Sequence, residues 1–218
     1  MQPASWRTRL KFYDCKTAPS PRRVRIFAAE KGIELDTVQV DLASGEQFGD
    51  AFRALNPDCV VPVLQLDDGA LITEVLAICQ YLEEIQPQPV LIGATAEERA
   101  RSVMWATKVE HQGLAAARDA FRNSAKGLKG HALTGPTDYE QIPELAERGR
   151  KQLAVFFDRL EQQLSENEFV AGSFYSIADI TAMVLVDFSA WIKVAIPDGA
   201  EHLGRWYKAV SARPSATA

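Results

Sequence analysis

Cysteine and histidine are scarce in this chain: each occurs three times in 218 residues. Cys15, Cys59 and Cys79 form no C-x-x-C pair, and an odd, widely spaced set is neither a disulfide framework nor a zinc site. His111, His131 and His202 lie far apart and make no metal-ligand pattern, so no metal is expected. Also missing is any apolar run near the ~18–20 residues that a membrane-spanning helix needs, and no membrane partner is expected. The opening stretch MQPASWRTRLKFYDC has no long apolar segment of the signal-peptide kind. Free-standing cysteines without a signal fit a reducing, cytoplasmic setting. Positive charge is short as well. The net charge is −5, and only Arg22-Arg23 and the Lys/Arg of the first eleven residues are locally basic. That speaks against a nucleic-acid partner, whose phosphates call for a concentrated basic surface. Repeats and low-complexity tracts are absent.

What is present is an ordinary globular composition, 47% hydrophobic and 24% charged. A chain of this length can bury a substantial core as one large domain or two small ones. RLKFYDC, residues 9–15, reads as a strand. Ser20-Pro21 then reads as a hydroxyl cap followed by proline at the first helical position. Gly32 suits the far end of that helix. ELDTVQVDL supplies a second strand, and the polar loop ASGEQFGD leads into a short helix ending near Leu55. Val63–Leu66 and Ala70–Thr73 flank Asp67-Asp68-Gly69, a β-hairpin signature. From Glu74 on, Val75, Ile78, Leu82 and Ile85 recur at helical spacing. QPQPVLIGAT has the composition of a linker. Beyond it, Thr95-Ala-Glu-Glu98 and Ser176-Ile-Ala-Asp179 each read as a capping box opening a helix. The second box precedes ITAMVLVDFSAWIKV, apolar on nearly every side and suited to the centre of a bundle.

Four stretches then resemble one family: YDCKTAPSPRRVRIFAAEKGIEL, LNPDCVVPVLQLDDG, LITEVLAICQYLEE and FVAGSFYSIADITA. In this order and at these separations they are similar to the cytosolic glutathione transferases, in feel closest to the bacterial Nu-type and theta-like members. The resemblance covers roughly residues 9–215. It implies an α/β thioredoxin-like N-terminal domain over 8–86, a linker over 87–94 and an all-α C-terminal helical domain over 95–216. It further implies glutathione as co-substrate, a hydrophobic electrophile or a disulfide as second substrate, and a homodimer, the commonest oligomer.

The resemblance also assigns roles. The Val61-Pro62 bond is expected to be cis, a geometry that proline tolerates, with the Val61 backbone pairing with the cysteinyl part of glutathione like an added strand. Glu74 is expected to receive the γ-glutamyl ammonium; taken alone it is a first-turn acid stabilised by the helix dipole. Family members usually carry serine at the next position, where this chain has Val75. The backbone N–H remains, but the hydroxyl, worth roughly 1.5–3 kcal/mol toward a charged group, is gone. Gln47 resembles the contact to the glycyl end, against its plain reading as a surface glutamine.

The chemistry implied is thiolate activation by a hydroxyl and a helix N-terminus aimed at sulfur. Thr17 matches the Nu-type threonine, and Ser20 follows from the helix side. Tyr13 is a third candidate, better read as an aromatic packed beside the strand. Ala18 falls where several classes place serine or cysteine. Cys15 and Cys79 read as inert buried thiols, while Cys59 sits near the expected glutathione. Trp105 and His111 are candidates for the second-substrate cleft, although a tryptophan at helical spacing more often belongs to a core. The reading is thus a glutathione transferase attacking an electrophilic small molecule. Its alternatives are a glutathione-dependent disulfide reductase and, favoured by Ala18 and Val75, a non-catalytic binding protein on the same fold.

Overall fold

The computed structural model describes residues 10–218; residues 8 and 9, at the expected start of the first domain and strand, lie outside them. The N-terminal half runs β1 (Lys11–Asp14), α1 (Pro19–Glu30), β2 (Asp36–Gln39), α2 (Asp50–Leu55), β3 (Val63–Gln65), β4 (Leu71–Thr73) and α3 (Val75–Ile85). The sheet order is β2-β1-β3-β4. β1 and β2 are parallel, and β3 runs antiparallel to both β1 and β4. This is the thioredoxin-like layout. The C-terminal half is helical: α4 (Ala96–Lys108), α5 (Ala115–Arg122), α6 (Pro143–Glu166), α7 (Ile177–Ser189) and α8 (Glu201–Ser211). No helix among the described residues is long and apolar enough to cross a membrane.

The local signals work as chemistry requires. Gly32 takes a positive φ of 64° after α1, and the N–H groups of Gly32 and Ile33 return to the carbonyls of Ala29 and Ala28, closing a Schellman motif. Thr95 and Glu98 cap α4 reciprocally. The start of α1 differs from the sequence reading. The helix begins at Pro19, one residue before Ser20, and its N-cap is Ala18, whose side chain accepts no bond. Proline at the first position has a pre-set φ and forces an extended residue before it, and Ala18 is extended. Ser20 therefore lies inside the first turn and is not the cap.

One core runs through both halves, joining Phe12, Phe27, Leu64 and Ile78 to Leu153, Phe157, Met183 and Trp206. A smaller cluster of Val40, Phe52 and Val63 sits under the loop that precedes β3. α7 is the buried helix expected from its composition. Its capping acid, Asp179, is fully buried and accepts from the Val170 and Ser176 N–H groups, the Ser176 hydroxyl and the Trp206 indole. The residue ties a loop, a helix start and α8 together.

Burial pushes the Asp179 carboxyl up to about 6, with the donors from Val170, Trp206 and Ser176 pulling less strongly the other way. A raised native pKa means that the native state favours the protonated form. Its contribution is full below the unfolded carboxyl's pKa and shrinks as pH rises through about 6. Asp179→Ala strands three or more buried donors and is expected to cost roughly 3 kcal/mol or more in urea denaturation. The stability gap between wild type and Asp179→Asn is expected to narrow as pH is raised through this window.

Candidate functional site

Strand register builds the site. Tyr13 of β1 pairs with Val63 of β3, and Val63 pairs with Thr73 of β4. The C-terminal ends of β1 and β4 thus flank the N-terminal end of β3. α1 follows β1 and α3 follows β4, so both helices start at this edge with their positive dipole ends there. Between them stands the loop before β3.

That loop contains the cis Val61-Pro62 bond. Neither the N–H nor the C=O of Val61 has a hydrogen-bond partner among the described residues, although β3 begins two residues later. Asn56, almost fully buried, shapes the approach: its amide donates to the Val60 carbonyl and its own side-chain oxygen accepts from Asp58 N–H. Cys59 turns inward in the left-handed region, 3% exposed, which removes the thiol from the surface.

At the second helix, Glu74 occupies the N-cap of α3 with φ 67° and ψ 126°. A non-glycine residue is rarely held there, and such backbones cluster at functional sites. Its side chain is exposed and caps nothing. The first amides of α3 have no intrahelical acceptor. The Val75 side chain packs into the core at 7% exposure, which explains how an apolar residue is accommodated.

At the first helix, Pro19 and Pro21 have no N–H. Ala18 N–H is taken by the Cys15 carbonyl and Arg22 N–H by the Ala18 carbonyl. Ser20 N–H is the amide of this turn left without a partner among the described residues. The Ser20 hydroxyl accepts from the Arg23 guanidinium at 3.0 Å, which leaves its own proton free to donate. Arg23 is 4% exposed and is ion-paired with Glu110 of the helical half. Sequence reasoning missed this relay, although Arg22-Arg23 stood out as a local basic pair. Thr17 is exposed, its hydroxyl 3.5 Å from the Cys15 sulfur. Tyr13 donates to Gln65 and meets Phe52 edge-on, the packing role expected.

Gln47 lies on a 3-10 turn, Glu46–Phe48, with its side-chain oxygen buried and unpartnered. The remaining two candidates turn elsewhere. Trp105 is buried beneath Lys108 and Arg159, and His111 lines a surface hollow of about 410 Å³ against α6. Between α4 and α5 the chain makes a π-helical turn, Val109–Leu114, and it is Glu110 of this turn that reaches α1. Among the described residues, no group of three or more His, Cys, Asp or Glu is placed to hold a metal.

Residues 17–85 match the glutathione S-transferase N-terminal domain, and residues 117–214 match the glutathione S-transferase C-terminal domain. The chain belongs to the glutathione S-transferase family. The transferase is 34% identical to glutathione S-transferase 2 of Saccharomyces cerevisiae over 93% of its own length and 86% of the relative's. Among solved structures it is similar to a glutathione S-transferase domain-containing protein of Marinobacter aquaeolei, with a TM-score of 0.86 and 38% identity over 94% of this chain and 98% of that one. It is also similar to Gtt2 of Saccharomyces cerevisiae, with a TM-score of 0.86 and 33% identity over 94% and 97%. Family membership makes glutathione the co-substrate.

The half-exposed Glu110 supplies the counter-charge of a buried cation of the transferase. Glu110→Ala is expected to lower stability by about 1–3 kcal/mol, less than for a fully buried pair because water screens the carboxylate; thermal unfolding at neutral pH checks it.

Proposed function

We propose that glutathione lies along the edge described above, with its ammonium on Glu74 and its α-carboxylate on the first amides of α3. The cysteinyl backbone pairs with Val61, the glycyl end meets Gln47, and the thiol points at the start of α1. The observation that carries this reading is the convergence of two helix N-termini on an unpaired strand-like segment. Each supplies what one part of the tripeptide needs: amides for anions and a β-edge for a peptide.

Two hydroxyls compete for the sulfur. Thr17 matches the Nu-type pattern, and its exposed position supports a role toward solvent. Ser20 combines an unpaired N–H with a hydroxyl whose acceptor side is engaged by Arg23. A donor so oriented lowers the thiol pKa, releasing the proton to solvent and leaving a thiolate. The thiolate then attacks an electrophilic carbon, forming a C–S bond as the leaving group departs with its electron pair. Binding positions the sulfur, and Ser20 stabilises its charge. Trp105 and His111 carry no part in this reading.

Thr17 also favours a second reading, thiolate attack on a disulfide with expulsion of the other sulfur as thiolate. Turnover of a mixed disulfide against an aryl halide separates the two. A homodimer is part of the proposal, supported by exposed Leu71, Ile85 and Met104 on β4, α3 and α4. So are the domain division at 86 and 95 and a cytoplasmic setting without nucleic acid, in line with three free, buried cysteines and a net charge of −5.

Calorimetry with glutathione tests the site. Glu74→Ala is expected to weaken binding about tenfold or more, the loss of one charge-assisted contact. Ser20→Ala is expected to leave binding nearly intact while lowering kcat/KM by about 10- to 100-fold and raising the pKa of the bound thiol, followed by thiolate absorbance. Wild-type protein that binds no glutathione at millimolar concentration would sink the reading.

A further inference from the structure

The connection between α5 and α6, residues 123–142, is long but not loose. Arg122, at the end of α5, donates to the carbonyls of His131 and Leu133. Gln141 donates back to the carbonyls of Arg122 and Ala125, and Ile142 N–H donates to the Asn123 side chain. Within the connection, Tyr139 N–H bonds the Gly130 carbonyl and Ala132 N–H bonds the Tyr139 carbonyl. These bonds hold the backbone on either side of His131, and the Asp138 carboxylate lies 3.1 Å from its Nδ1.

The His131 ring leaves the helical half. It stacks on Phe48, with centroids 5.9 Å apart and planes inclined by 22°. Phe48 is the residue after Gln47, and its carbonyl accepts from Arg53. The 3-10 turn that carries Gln47 is thus held by Arg53 from its own domain and by His131 from the other. Gly135 of the connection also comes close to the N-terminal half: a side chain placed on it would lie 3.5 Å from the Asp58 carbonyl. The buried side-chain oxygen of Gln47, without a donor, is of the kind that the glycyl amide N–H of glutathione would satisfy.

We infer that His131 is a positioning residue of the glycyl subsite: by stacking on Phe48 it lets the α5–α6 connection set the orientation of Gln47, and so the affinity for the glycyl end of glutathione. The inference rests on the reading of Gln47 given under Proposed function.

The test is calorimetry on the full chain with glutathione and with γ-glutamylcysteine, which lacks the glycine. His131→Ala is expected to weaken glutathione binding about three- to tenfold, the range that one aromatic stack supplies. γ-Glutamylcysteine should bind this variant as it binds wild type, and kcat at saturating glutathione should hold. His131→Phe keeps a stacking ring and should restore affinity. Equal losses for both ligands would mean general loosening of the fold and overturn the inference, as would unchanged affinity for glutathione. Gln47→Ala separates the underlying reading. If that variant binds glutathione like wild type, the glycyl contact itself is wrong and the role of His131 falls with it, while binding along Val61 and Glu74 still stands.

Discussion

A guanidinium as buried as that of Arg23 must find oxygen partners, because an uncompensated charge in a dry site is far costlier than a paired one. Arg23 finds one on its own helix, Ser20, and one across the domain boundary, Glu110. The same helix is pinned at other points. Arg22 bonds Asp187 of α7 and the Ala216 carbonyl, Arg25 pairs with Asp14 at the end of β1, and Glu30 binds Arg213 and Ser215 beyond α8. α1 is therefore a shared beam. Its inner face belongs to the common core, and its charged groups fix how the helical half sits against the sheet. The start of that beam also carries Ser20, the hydroxyl proposed to face the thiol, so on that proposal the constraint that joins the two halves would orient the chemistry.

The features legible in the sequence are those whose physics is local. Both capping boxes, the hairpin at Asp67-Asp68-Gly69 and the Gly32 terminus depend on residues within a few positions of one another. The cis Val61-Pro62 bond and Glu74 came through family resemblance, and the structure adds their geometry: an unpaired backbone and a strained N-cap. Ser20 shows where local rules compete. The Ser20-Pro21 reading put the first helical position at 21, and the helix begins two residues earlier, at Pro19.

The Ser20–Arg23–Glu110 relay and the His131–Phe48 stack were not legible, because their partners are distant in sequence. Glu110 lies 87 residues from Arg23, and a glutamate in a polar stretch carries no mark of the cation it will meet. The π-helical turn is equally hidden. It shifts which side chains of the α4–α5 segment face α1: the family resemblance offered Trp105 and His111 for the cleft, while it is Glu110 that reaches α1.

The two prolines at the start of α1 have a consequence for selectivity among anions. An ordinary helix start offers several amides and cradles phosphate oxygens. Here Pro19 and Pro21 have none and Ala18 and Arg22 have spent theirs, so the turn presents a single N–H at Ser20. Such a start has one seat, suited to a one-atom anion such as a thiolate. A tetrahedral oxyanion would leave most of its oxygens unserved. On the proposed binding mode, inorganic phosphate and nucleotides would thereby compete poorly for the place given to sulfur.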